Sequence, residues 1–190
     1  MGSFLYPVVK MKEDKAEIIF ITSARDGTGK TFLTANLGTA LAKSNAKAAI
    51  IDLSGAGEAS MFMGLYEEPN IVSIKELYEL DEYEFKRYQK FFFEEKLTIL
   101  SLYPPNDEEE IDYLKDIISG LKEKRQYIII DGEMWPFIDT ICEKVFIVAL
   151  PNPMNLRITK DLIGKLKLHK NSEELYVVIN KIEKKHKADI

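Results

Sequence analysis

The stretch "ITSARDGTGKTFLTANL", residues 21–37, decides the fold that this chain is expected to adopt. It opens on the end of an apolar, β-branched run, crosses a glycine-containing loop and continues with leucines four residues apart. Leu33, Leu37 and Leu41 would share one face of a helix that begins near Thr31. The stretch therefore predicts a strand, a short loop and a helix, which is the unit from which parallel sheets are built.

Five further apolar runs follow the one that leads into this loop. Most of them lack period-2 alternation, which is typical of strands buried on both faces. The six runs are "EIIFIT" (17–22), "AAIIDL" (48–53), "LTILSL" (97–102), "YIIIDG" (127–132), "KVFIVAL" (144–150) and "LYVVIN" (175–180). Helical patterns lie between them, and in one of these Ile111, Leu114, Ile118 and Leu121 share a face. The alternation predicts an α/β fold with a doubly wound, mostly parallel sheet, flanked by helices and joined by right-handed crossovers.

The length and composition indicate a single globular domain. With 190 residues and a net charge of −5, the chain can bury a sizeable core and gives no strong signal for nucleic-acid binding. We expect the domain to span residues 17–190, after a loose lead-in at residues 1–16. The single cysteine, Cys142, cannot form an internal disulfide and fits a reducing cytoplasm. No apolar run approaches the ~18 residues that a membrane-spanning helix needs.

The segment "GTGKT", residues 27–31, has the residue types of a phosphate-binding loop between a strand and a helix. Its glycines let backbone N–H groups turn toward phosphate oxygens, and the helix N-terminus adds partial positive charge. Lys30 is a flexible point charge for the β- and γ-phosphates, and the Thr31 hydroxyl is placed to ligate Mg²⁺. The alternative is a glycine-rich turn with a capping threonine, because Ala24 stands where the full pattern has its first glycine.

Two aspartates close other predicted strands. Asp131 ends "YIIID" and Asp52 ends "AAIID". In open α/β sheets, ligands bind beyond the carboxyl ends of the strands, where a carboxylate can hold Mg²⁺ or one of its waters. The alternative for each residue is a solvated aspartate at a strand end. We expect Thr31, Asp52 and Asp131 to form the metal site, and Lys30, Asp52 and Asp131 to act in catalysis.

The segment "RDGTGKTFLTANLGTALAKSNAKAAIIDLSGAGEASMFMGL", residues 25–65, resembles the opening of the ParA/MinD family of P-loop ATPases. That family has a deviant Walker A loop, K-G-G-x-G-K-T, followed by a helix and a strand that ends in D-x-D. The resemblance continues through "LTILSLYPPND" (97–107), "YIIIDG" and "VVIN" (177–180), and covers residues 17–181. In the family the asparagine that matches Asn180 contacts the base.

Three positions depart from the family pattern. Arg25 stands at the signature lysine, which in the family reaches the nucleotide of the partner subunit, and Asp26 stands at a glycine. Ser54 stands at the second aspartate of D-x-D, which in the family positions the attacking water, whereas Asp52 matches the first. These departures imply a working binding site with slow hydrolysis, unless Asp52 takes over the role of the missing carboxylate.

The resemblance implies an ATP·Mg²⁺-dependent switch that positions or regulates a larger assembly, such as a pilus, flagellum, septum or DNA partition complex. It also implies a nucleotide-dependent homodimer and a protein partner, and it comes closest to atypical pilus-assembly members that act as localisation factors. The C-terminal amphipathic membrane helix of MinD has no counterpart in the sequence. The residues expected to contact nucleotide are Arg25, Asp26, Gly27, Thr28, Gly29, Lys30, Thr31, Phe32 and Asn180.

Two alternatives remain open from the sequence. A degenerate interaction module would keep the fold and bind partners without catalysis. Asn180, Lys181 and Glu183 also resemble the N-K-x-D motif that reads guanine, with Glu for Asp, which leaves GTP as the alternative to ATP.

An aromatic and charged segment, "YELDEYEFKRYQKFFFEEK" at residues 78–96, carries no recognisable site motif. Phe85, Tyr88 and Phe92 lie at helical spacing, which fits either core packing or a face that binds a partner. Trp135, shortly after Asp131, is expected in the switch region of the site.

Overall fold

The computed structural model describes residues 16–65, 70–133, 141–167 and 174–182. The expected lead-in at residues 1–16 and the residue Trp135 lie outside these ranges, apart from Ala16. The strands are β1 (Glu17–Thr22), β2 (Ala48–Asp52), β3 (Lys90–Phe92), β4 (Leu97–Ser101), β5 (Tyr127–Asp131), β6 (Lys144–Ala149) and β7 (Leu175–Ile179). The helices are α1 (Lys30–Lys43), α2 (Glu58–Phe62), α3 (Ile74–Glu79), α4 (Glu82–Tyr88), α5 (Glu108–Lys122) and α6 (Pro153–Leu166).

One seven-stranded sheet organises these elements in the order β3-β4-β2-β5-β1-β6-β7. Every pairing is parallel except that of β3 with β4, which is antiparallel. The six predicted strands are all present, so the predicted doubly wound α/β fold is confirmed. Among the described residues, no helix is both long and apolar enough to cross a membrane.

The hydrophobic core has two halves, one on each face of the sheet. In β1, Ile18 and Phe20 pack into one half, whereas Ile19 and Ile21 pack into the other. Because successive side chains of a strand point to opposite faces, a strand covered on both sides must be apolar at every position. This requirement explains the continuous apolar runs from which the strands were predicted.

Helix α1 lies close to the sheet through small residues. Thr34, Ala35, Gly38 and Ala42 are its deeply buried positions beyond the first turn, while the leucines of the predicted face are only partly buried against the core. A Cβ atom at Gly38 would lie 2.8 Å from Cδ1 of Ile50, so a larger residue would push the helix outward. The close packing of α1 fixes the loop that precedes it.

The aromatic segment at residues 78–96 is helical only in part. Helix α4 ends at Tyr88, and Phe92 belongs to the edge strand β3. Phe85 and Tyr88 pack against one half of the core, whereas Phe92 packs against the other. Phe92 therefore does not continue the helical spacing of Phe85 and Tyr88, because it pairs in the antiparallel contact of β3 with β4. These three aromatic residues all contribute to core packing.

Candidate functional site

The candidate site is a cavity of about 800 Å³ at the carboxyl edge of the sheet. This edge is where the loops after β1, β2, β5 and β7 meet, as ligand sites in open α/β sheets require. The lining residues are Asp26, Gly27, Thr28, Gly29, Lys30, Thr31, Phe32, Leu53, Ser54, Glu58, Phe62, Pro104, Asp131, Gly132, Glu133, Asn180 and Lys181. The loop between β1 and α1 thus supplies the largest continuous part of the wall.

Two glycines give this loop its shape. Gly27 has φ of 71° and Gly29 has φ of 97°, both in the left-handed region that favours glycine. A Cβ atom at Gly29 would in addition collide with the side-chain amide of Asn180. Gly29 caps α1 without any side-chain hydrogen bond, which argues against the alternative of a turn capped by threonine. The first N–H groups of the 14-residue helix α1 have no partner within the helix and are available to an anion.

Asn180 and Lys181 hold the loop from the opposite side of the cavity. The Asn180 amide donates to the carbonyl oxygen of Thr28 over 2.8 Å, and the Lys181 ammonium donates to that of Gly27 over 2.7 Å. The Asn180 carbonyl oxygen accepts from the backbone N–H of Lys181 over 2.8 Å. Asn180 therefore lines the cavity, but both its amide nitrogen and its amide oxygen are engaged in hydrogen bonds to the backbone. Glu183 lies outside the described residues.

The ammonium of Lys30 is held by a carboxylate of its own loop. Its Nζ lies 3.2 Å from Oδ1 of Asp26, one helical turn away. The Lys30 side chain is 14% exposed, whereas that of Asp26 is 88% exposed. Because an exposed ion pair contributes only about 0–1 kcal/mol, a multiply charged phosphate chain can replace Asp26. The Asp26 carboxylate thus occupies the place beside the Lys30 ammonium where an anionic ligand would bind.

Asp131 is a buried carboxylate at the end of β5. It is 1% exposed, and neither of its oxygens has a hydrogen-bond partner among the described residues. Burial raises the pKa of the Asp131 carboxyl from 3.8 to about 7; the nearby Thr31 hydroxyl opposes this shift, and the negative charge of Asp52 adds to it. The hydrogen bond of the Thr31 hydroxyl goes elsewhere, to Oε2 of Glu58 over 3.2 Å. A carboxylate and a hydroxyl at the same cavity supply the oxygen ligands that Mg²⁺ prefers.

Asp52 has a different environment from the one expected. It is fully buried, and its two oxygens accept hydrogen bonds from the backbone N–H groups of Ser54 at 2.9 Å and Ala59 at 2.8 Å. It does not line the cavity. The geometry therefore does not support the direct catalytic and metal-binding roles expected for Asp52, because its charge already stabilises the segment after β2.

Arg25 also lies outside the cavity. Its guanidinium Nη1 is 3.6 Å from Sδ of Met154 at the start of α6, and it lines a separate groove between the loop and that helix. The Ser23 hydroxyl donates to the Arg25 carbonyl over 2.6 Å, which fixes the backbone while the side chain stays exposed. The Arg25 side chain is thus exposed in a groove that shares Asp26, Lys30 and Glu133 with the cavity.

Two lining residues, Phe62 and Glu58, were missed by the sequence motifs. Phe62 meets the expected Phe32 edge to face with ring centroids 6.0 Å apart, and each ring is more than half exposed at the cavity. Glu58 enters the cavity from α2 because Gly55 and Gly57, both with positive φ, turn the chain back after β2. In the sequence, these two glycines were the only local indication that the chain turns back after β2. They do not indicate which of the following side chains lines the cavity.

The fold and the cavity define an α/β nucleotide-binding domain of the phosphate-binding-loop class. A family model described as the CobQ/CobB/MinD/ParA nucleotide binding domain matches residues 19–190, so the chain belongs to that family. The resemblance to ParA/MinD proteins predicted from the loop is therefore confirmed.

Individual relatives agree with this assignment. The septum site-determining protein MinD of Bacillus subtilis (strain 168) is 29% identical over 178 residues, which cover 87% of this chain and 65% of the relative. A chain of the MinC:MinD cell division protein complex of Aquifex aeolicus superimposes with a TM-score of 0.71 at 28% identity, covering 88% of this chain and 70% of that one. MinD from Pyrococcus horikoshii OT3, complexed with Mg-ADP, gives a TM-score of 0.62 at 26% identity, covering 85% and 68%. The chain thus spans about two thirds of the length of the relatives that it matches.

Proposed function

We propose that this chain binds ATP with Mg²⁺ and acts as a switch that positions or regulates a larger cellular assembly. The observation that carries the proposal is the buried carboxylate of Asp131, which has no hydrogen-bond partner among the described residues and lines the same cavity as Lys30 and the left-handed loop. A purely structural site would leave that buried charge uncompensated, at a cost in stability. A bound cation removes the cost, and the loop supplies the groups that would hold a phosphate chain beside it.

The roles follow from the position of each group. The backbone N–H groups of residues 27–31 and the ammonium of Lys30 would hold the β- and γ-phosphates. Thr31 and Asp131 would hold Mg²⁺, which neutralises charge on the phosphates when it is bound. Thr28 lies within the phosphate-binding backbone, and the exposed Phe32 ring would flank the nucleotide at the cavity wall.

The nucleotide that this chain would bind is ATP and not GTP. The relative from Pyrococcus horikoshii holds Mg-ADP, which supports an adenine nucleotide for this chain. The amide of Asn180, which a guanine reader would direct at the base, donates here to the Thr28 carbonyl. Asn180 would therefore act mainly by holding the loop in its binding shape.

Hydrolysis would be slow. The family's water-positioning carboxylate is replaced by Ser54, and the buried Asp52 is already bonded to two backbone N–H groups. Loss of a group that orients the attacking water costs roughly 10²–10⁴-fold in rate. A long-lived ATP state would result, which suits a switch better than a rapid ATPase.

Arg25 would act between two copies of the chain. Its side chain is exposed and does not line its own cavity, which would leave it able to reach the nucleotide of a second copy. The switch would work in the cytoplasm, where ATP and Mg²⁺ are supplied, and would act through a protein partner. The MinD and ParA relatives suggest that the assembly is a septum or a DNA partition complex. A pilus or a flagellum is a further candidate for the assembly that the switch positions.

A degenerate interaction module is the second candidate function. The ion pair between Lys30 and Asp26 favours it, since a carboxylate already occupies the lysine that phosphates need. Such a module would keep the fold and its surface while binding nucleotide weakly or not at all.

Isothermal titration calorimetry with ATP, GTP and ADP, with and without Mg²⁺, separates the two functions. Lys30→Ala should weaken ATP binding at least tenfold, about 1.4 kcal/mol, because a charge-assisted phosphate contact is lost. Lys43→Ala, at the opposite end of α1, removes the same charge far from the cavity and should leave affinity unchanged. Equal binding by wild type and Lys30→Ala, or binding by neither, would contradict the proposed switch.

A further inference from the structure

Glu58 is a carboxylate in the cavity that no motif in the sequence assigns. It is the first residue of α2, and its Oε2 accepts the hydrogen bond of the Thr31 hydroxyl over 3.2 Å. It lines the same cavity as Lys30 and Asp131, and its negative charge contributes to the raised pKa of Asp131. Glu58 therefore stands beside the groups that would hold the terminal phosphates and the cation.

The position of Glu58 is set by the buried carboxylate of Asp52. The Oδ1 atom of Asp52 accepts from Ser54 N, and its Oδ2 atom accepts from Ala59 N, the residue that follows Glu58. Gly55 and Gly57, with φ of 70° and 65°, let the intervening chain fold back between these two bonds. Asp52 thus fixes the first turn of α2 and, with it, the start of the Glu58 side chain.

The other groups in the cavity are less suited to orient a water. The Ser54 hydroxyl accepts the N–H of Ala56 over 3.2 Å, so it is partly occupied. The carboxylate of Asp26 is paired with Lys30, and Asp131 is buried where the cation would sit. Glu133 makes no hydrogen bond or ion pair within the part of the chain that the structure describes, so no described residue fixes its direction.

We propose that Glu58 is the carboxylate that orients the attacking water during ATP hydrolysis, in place of the aspartate that Ser54 replaces. This inference rests on the proposed ATP site. In the reaction, the water oxygen bonds to the γ-phosphorus, and the bond from that phosphorus to the β,γ-bridging oxygen breaks. The leaving ADP oxygen keeps the electron pair, and the protons of the water leave with inorganic phosphate and into solvent. Glu58 accepts a hydrogen bond from the water and so directs a lone pair of the water oxygen at the γ-phosphorus.

The contact with Thr31 links this role to nucleotide loading. In this structure the Thr31 hydroxyl donates to Glu58. A cation bound through the oxygen of that hydroxyl would leave its hydrogen free for Glu58 and would make it a stronger donor. Loading of the site would therefore hold the Glu58 carboxylate beside the γ-phosphate, with its second oxygen left to accept from a water.

Single-turnover hydrolysis of [γ-³²P]ATP with Mg²⁺, measured beside equilibrium binding of a non-hydrolysable ATP analogue, tests the inference. Glu58→Ala should lower the hydrolysis rate at least tenfold without weakening analogue binding, whereas Glu58→Gln, which keeps an acceptor oxygen, should retain more of the rate. Ser54→Asp in the Glu58→Ala background should restore hydrolysis, because it returns a carboxylate to the family position. The matched control is Glu108→Ala, which removes a glutamate from the first position of α5, away from the cavity.

Three outcomes would overturn the inference while leaving the ATP site intact. One is a wild type that binds ATP but does not hydrolyse it, and another is an unchanged rate in Glu58→Ala with loss of rate in Glu133→Ala. The third is weaker binding in Glu58→Ala with a normal rate at saturating Mg²⁺, which would make Glu58 part of the metal site. Failure of the wild type to bind ATP at all would instead overturn the proposed function itself.

Discussion

Asp52 and Asp131 end the neighbouring strands β2 and β5 and stand opposite each other in the sheet register. Both are aspartates, and both are almost fully buried. Asp52 gives its two oxygens to the backbone N–H groups of Ser54 and Ala59, whereas neither oxygen of Asp131 has a hydrogen-bond partner in the described structure. Equal residue type, depth and strand position therefore do not give equal function: the satisfied carboxylate maintains the fold, and the unsatisfied one is available to a ligand.

The largest expected effect comes from Asp131. In the metal-free protein its pKa of about 7 exceeds the ordinary value of 3.8. Between these values the folded chain holds a proton that the unfolded chain has released, so stability falls as pH rises from about 4 to 7 and levels off above that. Asp131→Asn should therefore raise the free energy of unfolding at pH 8 by up to about 4 kcal/mol, and the gain should disappear toward pH 4.

Urea denaturation in EDTA across this pH range measures the effect, and calorimetry with Mg²⁺ measures its functional consequence. Asp131→Asn should lose the dependence of ATP binding on Mg²⁺ even though it folds more stably. A variant that is less stable than wild type at every pH would show that Asp131 has a structural partner after all.

The second-largest effect, a decrease in the free energy of unfolding, is expected from substitution of Asp52. Asp52→Asn removes one acceptor oxygen and places an amide against a backbone N–H group, which should lower the free energy of unfolding by about 2–3 kcal/mol. ATP binding should persist, because Asp52 does not line the cavity. The two Asp→Asn variants are matched controls for each other, and loss of Mg²⁺-dependent binding in both would remove the distinction drawn between them.

A smaller effect is expected from Asp26, an exposed carboxylate on the loop. Asp26→Asn removes the ion pair with Lys30 and the repulsion toward phosphates, so ATP should bind about five- to tenfold more tightly, roughly 1 kcal/mol. Titration calorimetry checks the change. Asp112→Asn breaks a similar exposed pair with Lys115 on α5, away from the cavity, and should leave affinity unchanged. Weaker binding in Asp26→Asn would mean that the carboxylate assists the nucleotide.

The smallest effect on the isolated chain is expected from Arg25. Since its side chain is exposed, Arg25→Ala should leave stability within about 0.5 kcal/mol of wild type. Its effect should appear only in sedimentation with ATP, where it should reduce the dimer, while Arg87→Ala on α4 should not. A monomer under all conditions, for wild type and variant alike, would contradict the proposed role across a subunit interface.

The six main strands, the phosphate loop and the presence of Lys30, Thr31 and Asp131 in the site could be predicted from the sequence alone. Each depends on a local pattern: apolar runs for strands covered on both faces, and glycines before a lysine and a hydroxyl for the loop. Because parallel strands share one carboxyl edge, the order of the elements was sufficient to bring Asp131 close to Lys30 and Thr31.

Only the tertiary structure decided which groups are already partnered. The sequence suggested metal and catalytic roles for both Asp52 and Asp131, and nothing local distinguishes an aspartate that accepts from Ala59, seven residues later, from one that accepts no hydrogen bond from the described residues. Likewise, the contact of Glu58 with Thr31 joins residues 27 positions apart and depends on how β2 and α1 pack. Local sequence sets periodicity and backbone preference, whereas burial and hydrogen-bond partners arise from segments that meet only after folding, and these decide whether a carboxylate stabilises the protein or serves its ligand.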